Sequence, residues 1–244
     1  MNLNDITFKK ADLHLHTPRS LCYSEQSSTP EQIVDAALAC GLEVIAITDH
    51  NTAEALDGIR QYAGKKGLFV FPGAEISTKG GHVLAIFELD TPVERLDGFL
   101  DYVGITHEGR GDAATLAEDS TEVVFQKIEE QGGIAIAAHI ERWPSGFLQS
   151  SEPRSAKISI HDSKYLTALE ITVPESKSLW NNGLVHGYLK KYACVQSSDA
   201  HGPGEIGRRQ VYIQMGKVGL VALRSAFAEY KTKILFPNEL PENK

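Results

Sequence analysis

Ala11-Asp12-Leu13-His14-Leu15-His16 alternates apolar and polar residues without a break. Successive side chains of an extended chain point to opposite faces, so Asp12, His14 and His16 share one face while Leu13 and Leu15 share the other. Such a strand gives one face to a core and presents a carboxylate and two imidazoles on the other.

The chain beyond it repeats a strand-like run followed by a helix-like run. Thr29, Pro30 and Gln32 read as N-cap, first helical residue and capping-box partner of a helix of about three turns that stops at Gly41. Residues 44–48 form a short β-branched run of the fully buried kind, ending on Asp49-His50. A helix over 53–65 follows, with Gly67 beyond it. A strand over 68–71 is closed by Pro72-Gly73, with Glu75 just after, and a strand over 82–87 opens on His82. Residues 91–119 are the least regular stretch, with Gly104, Gly109 and Gly111 around His107, and suit a helix and a covering loop. Further on, the pattern predicts a helix over 121–131 and a strand over 134–138 that ends on His139. It then gives a strand over 168–173, a mostly helical 176–191, and a strand over 193–197 that delivers Ser198-Asp199-Ala200-His201. A short strand at 211–214 and a helix near 220–230 complete it.

Strand and helix in alternation imply a parallel sheet with helices outside, and seven or eight strands in one α/β domain favour a closed barrel. With 244 residues and 42% hydrophobic content, a single domain over 1–244 is expected. No run approaches the roughly 18 apolar residues of a membrane span, and the N-terminus lacks a basic region followed by an apolar one, so a cytoplasmic location is expected. Cys22, Cys40 and Cys194 are too scattered for a disulfide framework. The formal net charge of −8 argues against extended nucleic acid as a partner, although carboxylates that ligate divalent ions would locally reverse that sign.

His16, His50, Glu75, His139, Asp199 and His201 all fall at or just past predicted strand ends, which converge on the active-site face of such folds. His14-x-His16 alone is a weak signal. Many separate strands bringing His, Asp or Glu to one rim is a different matter, because buried unpaired imidazoles and carboxylates are costly and a metal cluster offsets that cost. The nitrogen and oxygen mixture suits zinc, manganese or iron. His161 and His186 lie outside this pattern and read as surface residues.

The segments Ala11-Asp12-Leu13-His14-Leu15-His16-Thr17, Ile45-Ala46-Ile47-Thr48-Asp49-His50, Gly73-Ala74-Glu75-Ile76-Ser77, Ala137-Ala138-His139 and Ser198-Asp199-Ala200-His201 come in the order of the motifs of the polymerase and histidinol phosphatase (PHP) superfamily, which the chain resembles over about residues 11–209. The resemblance implies a distorted (β/α)7 TIM-like barrel holding two or three divalent metal ions that hydrolyses phosphoesters. It assigns His14, His16 and Asp199 to one metal, with Glu75 bridging to a second that His82 and His139 complete, and His50 with His201 to a third. The family usually places Asp or His where this chain has Leu21 and Cys22, so Cys22 is a candidate thiolate ligand or a packing residue, and the third site is the one in question. His82 is preferred to His107 as ligand. His107 or His201 would then protonate the leaving group. Arg142, Arg208 and Arg209, just past ligand motifs, are candidates for phosphate binding. Glu170 stays outside the set, as a possible support for the ligands.

The expected activity is hydrolysis of a small phosphomonoester or nucleotide by a metal-bound hydroxide at a di- or trinuclear site. An exonuclease acting on oligonucleotide ends shares that chemistry. An amidohydrolase also begins with His-x-His and ends on Asp, but needs a carbamylated lysine where Glu75 stands. A non-catalytic module would follow from decay of the site at Leu21 and Cys22.

Overall fold

The computed structural model describes residues 7–240. Strands β1 (Phe8–Leu15), β2 (Val44–Ile47) and β3 (Phe69–Thr78) run parallel, as do β5 (Ile134–Ala137), β6 (Ala168–Glu170) and β7 (Ala193–Val195). Between the two sets lies β4 (Gly81–Ile86), antiparallel to both β3 and β5. The parallel Leu15–Ala200 bridge and the His16 N–H bond to the Ala200 carbonyl at 3.0 Å bring the end of β7 back to β1, so the sheet is a nearly closed barrel. Two further strands, β8 (Val211–Gln214) and β9 (Ile234–Leu235), extend antiparallel from the outer edge of β1. The result is a distorted TIM-like barrel.

Helices α1 (Pro30–Ala39) and α2 (Leu56–Lys66) follow β1 and β2, and α1 starts with the anticipated capping box at Thr29 and Gln32. Their buried residues, among them Ile33, Val34, Leu56 and Ile59, cover β1, β2 and β3, whose apolar side chains form the core with them. The least regular stretch, 91–119, holds α3 (Val93–Tyr102) and then an irregular segment that leads to α4 (Thr121–Glu130). Beyond β5 come α5 (Arg154–Asp162) and the short α6 (Lys177–Asn182), and α7 (Leu220–Ala228) with α8 (Tyr230–Lys233) lies between β8 and β9.

Four expectations need correction. The sheet is mixed, because a tight turn after Thr78 folds β4 back onto β3 as a hairpin. Pro72-Gly73 does not close β3, which runs for ten residues, and a Cβ on Gly73 would stand 2.6 Å from the Ala85 carbonyl oxygen, so only glycine allows that pairing. The helix expected over 176–191 ends at Asn182, since Gly183 takes φ of +65° and stops it. His161 is fully buried, with ring centroids of Tyr192 at 5.1 Å, Tyr188 at 5.2 Å and Trp180 at 5.9 Å, whereas His186 is exposed as expected. The aromatic neighbours of His161 come from α6 (Trp180), the segment after it (Tyr188) and the residue before β7 (Tyr192), which local sequence does not connect with it. Among the described residues no helix is long and apolar enough to cross a membrane.

Candidate metal centre

The rim formed by the C-terminal ends of the parallel strands collects the polar residues. His14 and His16 lie at the end of β1, His50 past β2, His139 past β5, Glu170 at the end of β6 and Asp199 past β7. Glu75 reaches the rim because β3 outruns β2 and pairs with His50 through an isolated bridge. His82, the second residue of β4, lies near the start of its strand and still reaches the rim because β4 runs the opposite way. Asn51, His139 and Asp199 are the non-glycine residues with positive φ among those described, and all three are at this rim, where neighbouring contacts hold an unfavourable backbone in place.

Glu75 is the hub. Its Oε2 lies 3.2 Å from His14 Nε2, 3.3 Å from His16 Nε2 and 3.0 Å from His50 Nδ1, and its Oε1 lies 2.8 Å from His82 Nδ1 and 2.9 Å from His139 Nε2. Asp199 Oδ1 stands 3.2 Å from His14 Nε2 and 3.0 Å from His16 Nε2, and its Oδ2 bonds Arg142. Three sets of ligand atoms gather within 4.8 Å: His14, His16, Glu75 and Asp199; His50, Glu75 and His82; and His16, His50 and His201.

Hydrogen bonds behind the rings fix which nitrogens face inward. The buried Glu170 carboxylate accepts from His14 Nδ1 at 3.0 Å and from the His139 N–H at 2.8 Å. The Ser20 hydroxyl donates to Asp49 Oδ1 at 2.7 Å, so it accepts from His16 Nδ1 at 2.9 Å and from the His50 N–H at 3.0 Å. Both Nε2 lone pairs therefore meet 3.1 Å apart, beside a Glu75 Oε2 that is buried without a hydrogen-bond partner. Convergent lone pairs and an orphaned carboxylate oxygen repel one another unless a cation lies between them, so these residues fit a divalent metal. The same crowding favours positive charge. Burial would depress His14, but Asp199, Glu75 and Glu170 outweigh it and hold it well above its ordinary value. His50 is pushed up to about 8, Glu75 overcoming burial with help from the Cys22 thiol. Burial would raise Glu75 and Asp199, yet His14 foremost holds both well below the carboxylate range.

A family model of the PHP domain matches residues 12–152, more than half of the chain. The chain belongs to the PHP domain family. Its membership accounts for the metal-ready cluster, since the family is one of metal-dependent phosphoesterases. An uncharacterized protein of Methanocaldococcus jannaschii is 32% identical to this PHP chain over 137 residues, 53% of this chain and 67% of the relative. The 5'-3' exoribonuclease of Haemophilus influenzae is 33% identical over 82 residues, 32% of this chain and 28% of the enzyme. Among solved structures, endonuclease Q from Pyrococcus furiosus superposes with a TM-score of 0.71 at 19% identity, covering 93% of this chain and 57% of the other. A complex of endonuclease Q with a 27-mer duplex carrying an abasic lesion at the active site gives 0.69 at 18% identity over 91% and 57%. A Bifidobacterium adolescentis protein assigned as a metal-dependent phosphoesterase gives 0.56 at 19% identity over 80% and 88%. The chain thus spans about half of the endonuclease and under a third of the exoribonuclease. Because some relatives of this PHP chain are nucleases by name, its acidic composition does not exclude nucleic-acid substrates.

Not every candidate joins the cluster. The exposed Cys22 lies near His50 but outside the set formed by His16, His50 and His201, and the neighbouring Leu21 is exposed. His107 is exposed in a 3-10 turn over His107–Gly109 and is not brought to the cluster. Arg208 donates to the Ser198 carbonyl at 2.9 Å and to Glu205 at 3.0 Å, which commits it to shaping the loop of Asp199, and Arg209 is exposed. Only Arg142 of the three arginines reaches a cluster side chain. Ser20, Asn51 and Glu170 carry roles that motif matching does not show. Asn51 donates to the carbonyls of Asp112 and Thr115, both at 2.8 Å, and accepts from the Ser77 N–H, so it ties the segment after α3 to the rim. Asp12 lies below, accepting from the N–H groups of Ser198 and Gly207, and burial pushes its carboxyl up to about 6.

Proposed function

We propose that this PHP chain hydrolyses phosphoesters of nucleotides and comparable small phosphorylated molecules, using two or three divalent ions such as zinc, manganese or iron. The observation that carries this is the juxtaposition of His14, His16, Glu75 and Asp199, within 4.8 Å of one another, with the Arg142 guanidinium on Asp199. The first four form one ligand set, His50, His82 and His139 share Glu75 with it, and His201 joins His16 and His50. Bound cations there would supply Lewis acidity, activating water and stabilising the entering and leaving oxygens.

The protein's own groups do the rest. Ser20 and Glu170 hold the inward tautomers of His16 and His14. Arg142, anchored through one nitrogen, keeps further N–H donors for nonbridging phosphate oxygens. His201 donates its Nδ1 proton to the Asp199 carbonyl at 3.0 Å and is 26% exposed, which leaves Nε2 to serve as a ligand through its lone pair or, when the ring takes a second proton there, to pass that proton to the leaving oxygen. Exonuclease action on oligonucleotide ends is the second reading, favoured by the 5'-3' exoribonuclease among the relatives. An amidohydrolase is disfavoured because Glu75, not a lysine, occupies the hub.

The experiment is a turnover screen of the zinc- and manganese-loaded protein on phosphomonoesters, nucleoside monophosphates and short oligonucleotides. Release of inorganic phosphate supports the first reading and release of mononucleotides the second. Absence of hydrolysis on every phosphoester by fully metallated protein would overturn both.

A further inference from the structure

We infer that the groove beside His82 is a nucleobase subsite whose stacking platform is Trp143, an inference that deepens the proposed function and rests on it. His82 belongs to two places at once. Its Nδ1 is 2.8 Å from Glu75 Oε1, and its side chain also lines a cavity of about 530 Å³. That is far more than a phosphate needs and lies within the range of pockets that hold nucleoside-sized ligands.

The walls suit a flat ring. Trp143 directly follows Arg142, the arginine on Asp199, so the indole and the anion-binding fork leave adjacent backbone positions about 3.8 Å apart. Trp143 is 77% exposed, although indole surface is among the costliest to leave in water, and Leu116, 45% exposed, lines the same groove from the segment after α3. Asn51 fixes that segment through the carbonyls of Asp112 and Thr115, which gives the Leu116 wall a set position. Gln149 and Glu152 add a donor and acceptors at the rim for the edge of a base. An apolar slot with a polar rim, opening from a phosphoester site, matches a base attached to the scissile phosphate through a sugar. Stacking on an aromatic ring tolerates any base, so the platform serves a free nucleotide and an oligonucleotide end alike.

The test uses the full chain and reads binding apart from turnover. Trp180, 2% exposed, gives a constant background, so tryptophan emission reports on Trp143. Adenosine monophosphates and a short single-stranded oligoadenylate should quench this emission saturably, and ribose 5-phosphate should not. A tighter oligoadenylate would assign the platform to strand ends, a tighter monophosphate to free nucleotides. Trp143→Ala should abolish quenching and lower the affinity for adenosine monophosphate relative to ribose 5-phosphate about tenfold or more, and Trp143→Phe should restore most of it. Equal affinities for the two ligands in the wild type, or an unchanged ratio in Trp143→Ala, would overturn the subsite while leaving phosphoester hydrolysis intact. Nucleotide quenching in a protein that hydrolyses nothing would sink the hydrolase and keep the subsite.

Discussion

Glu170 accepts the Nδ1 proton of His14 at 3.0 Å with both side chains buried, so the carboxylate decides which imidazole nitrogen faces Glu75 and Asp199. Burial would raise Glu170, yet His14 keeps it below the usual carboxylate range, which makes it a committed acceptor. Glu170→Gln should weaken zinc affinity about 10- to 100-fold by removing that constraint. Competition with a chelator of known affinity measures it, and unchanged affinity would reduce Glu170 to a packing role.

Glu75→Gln replaces a carboxylate that meets five imidazoles, those of His14, His16, His50, His82 and His139, with an amide that cannot bridge two cations. Turnover should fall more than about a hundredfold with either zinc or manganese. Circular dichroism should show the fold retained. Near-normal turnover in a fully metallated variant would remove the bridging role.

Cys22 stands where the family's usual ligand is absent, and the set of His16, His50 and His201 forms without it. Cys22→Ala should therefore leave the number of bound metals unchanged, as counted by elemental analysis after zinc titration. Loss of one equivalent would make the thiolate a ligand after all.

His161 is buried among Trp180, Tyr188 and Tyr192, and burial holds its pKa below the ordinary value near 6.5 despite a 3.0 Å contact with Asp162. Between the folded and unfolded pKa values the unfolded chain binds more protons. His161 therefore contributes stability above about pH 6.5 that is lost as pH falls through that window. His161→Phe should remove this dependence, so denaturant midpoints from pH 7.5 to 5 should move in the variant's favour as pH drops. A constant difference would show that His161 keeps its proton affinity on folding.

Alternation in residues 11–16, buried β-branched runs and cap residues were enough to establish a barrel-like α/β fold and the strand ends that bear ligands, because both depend on local side-chain period and backbone propensity. The PHP motifs further named most of the cluster. What sequence did not carry depends on contacts between distant segments. The reversal of β4 that brings His82 to Glu75, the burial of His161 and the pairing of Glu170 with His14 across 156 positions are of this kind. So is the separation of Arg142, on Asp199, from Arg208, held by the Ser198 carbonyl and the Glu205 carboxylate. Residue type and spacing say what a side chain is able to do, but only the closed barrel sets which nitrogen faces which oxygen, since that is decided by distance and burial in space.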